Sequence, residues 1–206
     1  MQTIEAILLG LTLGAGTLLF IGPVLFYLVK SSVDHGQRAG NQVALGIITG
    51  DIIYVFIVAN GLSDYLSSNT AQQYMAIIGG AILLLFGIKP FISSKNQNLE
   101  KDTVQSKSSL TFFINGFVIN FVNPFVITVW IGFYVLCDAR LESSNQINIA
   151  LISCLVFIFS TDLLKARLSL HLKKFLTSER MQILSKSFGV LMLLFGLRLL
   201  YVGLIV

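Results

Sequence analysis

Apolar residues run along this chain in long continuous stretches, without the two-residue alternation of strands. Six stretches stand out, at roughly 4–30, 42–62, 73–92, 110–136, 147–164 and 187–206. Each is close to the ~20 residues a helix needs to cross a hydrocarbon layer. The polar interruptions are short, apart from "SSKNQNLEKDTVQSKSS" at 93–109 and a basic stretch at 165–186. The pattern predicts an all-α integral membrane protein with six transmembrane helices. A barrel would instead alternate apolar and polar residues within short segments.

Two of the six stretches are interrupted in the same way. "FIGPVLFYLV" at 20–29 and "FVNPFVITVW" at 121–130 each carry a proline inside the apolar run. Such a proline removes a backbone hydrogen bond and clashes with the carbonyl four residues back. It also pushes the preceding residue out of helical geometry. Pro23 therefore frees the carbonyl of Leu19, and Pro124 that of Asn120. In lipid, a freed carbonyl must find a partner or line a wet cavity. Gly22-Pro23 and Asn123-Pro124 are candidate binding breaks on that ground, with a plain kink as the alternative.

The ends of stretches three and six are related. "GAILLLFGIKPF" at 80–91 and "GVLMLLFGLRLL" at 189–200 share Gly80/Gly189, Leu84/Leu193, Leu85/Leu194, Phe86/Phe195 and Gly87/Gly196. Lys89 aligns with Arg198. The two proline motifs are 101 residues apart and these two segments 109. The order predicts one transmembrane domain over 1–206, built as two halves of three helices at 1–92 and 110–206, joined by 93–109. Three is odd, so the second half inserts upside down. Inverted repeats of this kind recur in secondary transporters, with the substrate between the halves.

Composition and charge sharpen this picture. The chain is 55% hydrophobic and 12% charged, about half the charge of a soluble domain. Its mean hydropathy is +0.82. Of the 14 Lys and Arg, twelve fall in the first, third and fifth connections and one, Arg140, in the fourth. Arg198 lies inside the last stretch. Basic residues gather on the cytoplasmic side, which predicts both termini outside. The first run follows no basic residue and is too long for a signal peptide, so it reads as a retained span. The basic balance reports topology, and no nucleic acid partner is expected.

Asp51 lies about ten residues into stretch two, about 15 Å deep at 1.5 Å per residue. An acid at that depth is costly and is a functional candidate by default. It could load and release a proton, or meet an ammonium group. Tyr54, one turn on, shares its face and could hydrogen-bond. The pairs Gly10/Gly14 and Gly46/Gly50 have the spacing that lets helices approach closely, which would bring the Asp51 helix against the Pro23 helix. Gly116, Asn120 and Asn123 share one face of stretch four. Asp162, near the cytoplasmic end of stretch five, reads as an interfacial ion pair with Lys165. The segment 163–176, "LLKARLSLHLKKFL", is basic and amphipathic, and is expected along the membrane surface. His171 and His35 read as surface groups. Cys137 and Cys154 form no CxxC and no Cys/His cluster, and read as small apolar residues. No catalytic residue, metal site or cofactor is expected.

Two segments carry a family resemblance. "GPVLFYLVKSSVDHGQRAGNQVALGIITGD" at 22–51 resembles the signature of the LysE/RhtB family of amino-acid exporters. Gly22, Pro23, Gly36, Gly40, Gly46, Gly50 and Asp51 match it. "FFINGFVINFVNPF" at 112–125 resembles the family's second motif through Phe112, Gly116, Asn120, Asn123 and Pro124. Phe125 stands where many members carry a lysine. The resemblance implies export of amino acids or close derivatives from the cytoplasm of a bacterium, across its inner membrane, by proton antiport. The substrate and proton site would be Asp51, Gly22, Pro23, Asn120, Asn123, Pro124 and Tyr54. The partners are a small-molecule amino acid, protons and the lipid bilayer, and a homo-oligomer is left open.

Three other functions fit such a membrane chain less well. A divalent cation exporter of the same superfamily wants several carboxylates, and the chain offers one deep acid and no deep His. A thiol–disulfide carrier needs paired reactive cysteines, and Cys137 and Cys154 do not match across the halves. A non-transporting scaffold would make Asp51 a structural group.

Overall fold

Proline and glycine set the element boundaries. The computed structural model describes residues 2–20, 22–60, 69–93, 108–173 and 178–205. Helix α1 covers Gln2–Gly16 and runs into a 3-10 turn at Thr17–Leu19. Phe20 and Gly22 are extended, and α2 (Pro23–His35) restarts on the proline. Proline suits a first helical position, where an N–H would have no intrahelical partner. Gly36, at φ 87°, turns the chain into α3 (Gln37–Ala59). Glycine enters that left-handed region without a Cβ penalty. Helix α4 spans Asn69–Ser93. Helices α5 (Ser109–Phe121) and α6 (Pro124–Asp138) meet at a bend of 65°. Helix α7 runs over Ser144–Lys173 and α8 over Ser178–Ile205. Among the described residues the chain is all-helical.

The protein is a multi-pass α-helical membrane protein. Among the described residues four segments are long and apolar enough to cross a bilayer: Gln2–Leu19, Gln37–Ala59, Ser144–His171 and Lys186–Leu204. The bent pair α5–α6 makes a fifth if counted as one span. The stretch expected at 73–92 falls on α4, whose apolar part Ala76–Ile88 is shorter. The polar connection 94–107 lies outside the described residues, as do 61–68 and 174–177.

Glycines decide which helices touch. A Cβ on Gly46 would strike the carbonyl of Phe113, and one on Gly50 would press on the Asn120 side chain, so α3 and α5 lie side by side and parallel. A Cβ on Gly10 would strike the Ala150 carbonyl, and Gly14 seats on Phe157, so α1 runs parallel to α7. On α4, Gly80 meets Gly196 and Gly87 meets Gly189, which makes α4 and α8 antiparallel. In lipid, such contacts work through van der Waals packing of closely spaced backbones.

This corrects the route of one expectation. The Asp51 helix α3 does lie against the Pro23 helix α2, but Gly10 and Gly14 seat on α7, and Gly46 and Gly50 seat on α5. The break at 20–22 separates α1 from α2, so α1 can pack elsewhere while α2 alone stays beside α3. A second correction concerns 163–176. Up to Lys173 this segment continues α7 and does not lie apart as a surface helix. Its small residues are buried: Ala166 packs near Gly40, and Ser169 is 3% exposed. The amphipathic pattern reflects helix-on-helix packing. His171 is exposed, as expected.

Two apolar clusters flank the acid. One gathers Tyr54, Ile127, Trp130 and Leu151, and the other Leu28, Val43, Ile47 and Ala166. Asp51 stands on α3 between them, one turn after Ile47 and one turn before Tyr54.

Candidate functional site

Asp51 is 4% exposed. Its Oδ1 accepts a hydrogen bond from Asn120 Nδ2 and one from Trp130 Nε1, each at 3.0 Å. The Asn120 amide also donates to the Ile47 carbonyl at 3.0 Å, which fixes its orientation. Among the described residues both bonds to the acid go to Oδ1, leaving the second oxygen for an occupant. A lone charge is expensive in a membrane interior. Two neutral donors offset part of that cost without neutralising it.

The second break is built from side chains. Asn123 caps α6, its Oδ1 accepting from the Phe125 N–H at 3.1 Å. The Asn120 carbonyl, freed by Pro124, accepts from the Asn123 N–H at 3.2 Å. The Phe121 carbonyl accepts from the Tyr54 hydroxyl, and the two rings stack with centroids 5.0 Å apart. Tyr54 thus supports the break and makes no bond to Asp51. The first break is plainer: α2 has no side-chain cap, and Gly22 contributes its carbonyl to the Phe26 N–H at 3.1 Å.

The two breaks meet across one cavity of about 600 Å³, within the roughly 300–1,000 Å³ of small-molecule sites. Gly22 and Pro23 line it from the first break, Asn120 and Asn123 from the second, and Asp51 from α3. Phe20 and Phe125 touch edge to face at 5.2 Å, closing the gap between the breaks. Five of the seven expected site residues therefore share this cavity, while Tyr54 and Pro124 are not among its lining residues.

Asp162 forms the expected ion pair with Lys165, at 2.8 Å. Its setting differs from the expectation. Asp162 is 7% exposed, and both residues line the cavity. The reason is the length of α7, which continues about two turns past Lys165.

Residues 15–203 match the LysE type translocator family. The chain belongs to that family. Members are transporters, so the chemistry to look for is binding and release. The chain is 26% identical over 203 residues to "Putative amino acid efflux protein YcgF" of Bacillus subtilis (strain 168), covering 96% of this chain and 94% of that one. It is 27% identical over 205 residues to "Uncharacterized membrane protein YahN" of Escherichia coli (strain K12), covering 94% and 89%. It is 23% identical over 115 residues to "Leucine efflux protein" of Klebsiella pneumoniae, covering 55% and 54%. No solved structure matches the chain.

Two residues of this LysE type translocator were not picked out as site residues from sequence. Trp130, the only tryptophan, is buried and bonds Asp51 from α6. The bend between Asn120 and Trp130 hides their convergence, because helical periodicity does not carry across a break. Arg198 lines the cavity from α8. Its signal was visible as a cation inside an apolar run. Cys137 and Cys154 are buried in the cluster around Tyr54. Among the described residues no group of three or more His, Cys, Asp or Glu is placed to hold a metal ion.

Proposed function

We propose that this translocator is a secondary transporter that exports amino acids or close derivatives from the cytoplasm, driven by proton antiport. One observation carries the reading: Asp51, Asn120, Asn123 and the Gly22-Pro23 break line a single cavity of small-molecule size. An acid with one uncommitted oxygen can hold a proton or an ammonium group, but not both at full strength. That exclusivity is what antiport requires. The uncapped N-terminus of α2 opens on the same cavity, and the positive end of a helix dipole suits a carboxylate. Asn120 and Trp130 keep Asp51 in place; Asn123-Pro124 and Tyr54 keep the second break open. The names of the amino acid efflux relatives are consistent with this substrate class.

The same reading has six spans, arranged as two inverted three-helix repeats. The contacts of α4 and α8 support it. Aligning Gly80 with Gly189 and Gly87 with Gly196 maps the Gly80–Gly196 contact onto the Gly87–Gly189 contact. The α3–α5 and α1–α7 pairings exchange under the same operation. A site between such halves can open to either side through related movements. The charge distribution supports an inner bacterial membrane location with both termini outside.

The test is flux from proteoliposomes loaded with mixed amino acids under a pH gradient, with released species identified by mass spectrometry. Gradient-dependent release of a few amino acids is expected. Correctly folded protein that releases none under either gradient direction removes the reading.

A further inference from the structure

We propose that Arg198 binds the carboxylate of the exported molecule, and that this molecule is an amino acid with an apolar side chain. The proposal rests on the export reading above and adds the substrate's chemistry to it.

Arg198 lies twelve residues into the apolar segment Lys186–Leu204, about 18 Å along the helix at 1.5 Å per residue. A guanidinium at that depth is costly unless it faces a cavity or a counter-charge. The faces of α8 are distinct. Leu194, Leu197, Tyr201 and Leu204 are 56–72% exposed and form the outer stripe. Phe195, Arg198, Leu199 and Val202 line the cavity. Arg198 stands at the border between the two: it is exposed, one turn from Leu194, and it reaches the cavity whose wall Phe195 and Leu199 form.

The other charges along the cavity explain what Arg198 is for. Lys30 pairs with Asp34 and Lys165 with Asp162, and neither pair uses Arg198. Lys165 is committed to Asp162 at 2.8 Å. Asp51 is held by neutral donors alone. The cavity thus presents one carboxylate and one guanidinium without a charged partner among the described residues. A zwitterion supplies both complements, its ammonium to Asp51 and its carboxylate to Arg198. The guanidinium fork suits a carboxylate bidentately, which a lysine does not reproduce, and it adds to the field of the α2 N-terminus on the same cavity.

The rest of the molecule is selected by what remains. Phe20, Leu83, Phe133, Phe195 and Leu199 line the cavity. A cationic side chain would need a second available acid, and Asp162 is already paired. An anionic side chain would lie in a cavity with Asp51 and Asp162. An apolar side chain meets apolar walls.

The experiment compares leucine with leucinamide, which keeps the ammonium group and the side chain but lacks the carboxylate. Release is measured from proteoliposomes holding wild type, Arg198→Gln or Arg198→Lys, each checked for monodispersity by size-exclusion chromatography. Wild type should favour leucine by about 10- to 100-fold, the range expected for a charge-assisted pair. Arg198→Gln should remove most of that preference, mainly by losing leucine flux. Arg198→Lys, which keeps the charge without the fork, should fall between. A merely structural role would lower both fluxes and leave their ratio unchanged, and that result overturns the proposal. If Arg198→Gln is not monodisperse, the Arg198→Lys ratio decides, and an unchanged ratio again overturns it. Wild type that prefers lysine or glutamate to leucine overturns the apolar half. Wild type that releases no amino acid defeats the export reading itself and this proposal with it, an outcome distinct from an intact flux with an unaltered ratio.

Discussion

The two helix breaks carry the same proline signature and are stabilised differently. At the second, side chains do the work: Asn123 caps α6, Tyr54 reaches the Phe121 carbonyl, and Asn120 bridges Asp51 to Ile47. At the first, the chain is extended through Gly22 and α2 begins without a side-chain cap. One break is a scaffold that holds the acid, while the other offers bare backbone to the cavity. In the proposed export reading, the second break is the fixed wall and the first is where an occupant meets the main chain. The difference shows that a repeated motif can keep its geometry while its two copies divide the duties of a site.

The largest expected effect comes from removing the acid that the second break holds. Asp51→Asn keeps an oxygen able to accept from Asn120 and Trp130, so the protein should fold and purify normally. An amide has no proton to exchange at neutral pH. Gradient-driven amino acid release should drop to the level of protein-free liposomes, measured by the flux assay above. Retained gradient dependence in this variant would move the coupling site away from α3.

Next come the residues that hold the second break. Asn120→Ala removes one of the two donors to Asp51 and the donor to the Ile47 carbonyl. Flux should fall about tenfold, with a lower thermal midpoint, since a hydrogen bond to a charged group is worth about 1.5–3 kcal/mol. Tyr54→Phe should be milder in flux and visible mainly in stability. It keeps the ring stacked on Phe121 but leaves that carbonyl without the hydroxyl, at a cost of about 1–3 kcal/mol. Thermal denaturation of the purified protein in detergent checks both. If Tyr54→Phe lowered flux more than Asn120→Ala did, Tyr54 would belong to the transport cycle and not to the scaffold.

What the sequence revealed, and what it hid, follows the same division. The breaks were legible because proline acts on its own backbone, and Asp51 because a charge inside an apolar run needs a reason. The partners were not legible. Trp130 reaches Asp51 from 79 residues away across a bend, and Phe20 meets Phe125 from the other half of the chain. Glycine spacing announced close helix contacts without naming the partner, because any helix with a matching surface could take that face. The basic segment after Leu163 looked like a surface helix because an amphipathic pattern is the same whether the apolar side meets lipid or protein. Ala166 against Gly40 decides for protein. Asp162 was legible with its partner but not with its burial beside the cavity, since the length of α7 beyond it cannot be read from an ion-pair spacing.

The smallest effects sharpen the comparison most, because the two breaks should respond oppositely to a change to alanine. Asn123→Ala deletes the cap of α6 and should cost about 1 kcal/mol, lowering the thermal midpoint by a few degrees. Gly22→Ala adds a Cβ that would meet nothing within 4 Å. Gly22 has φ −161°, extended backbone that alanine adopts without strain, so the thermal midpoint should not move measurably. The added methyl nonetheless stands at the edge of the cavity. If the main chain at the first break meets the occupant, Gly22→Ala should raise the apparent KM for export by a few-fold while leaving stability alone, and Asn123→Ala should do the reverse. Should both variants change stability and neither change KM, the two breaks would be equivalent structural joints, and the division of duties between them would fall.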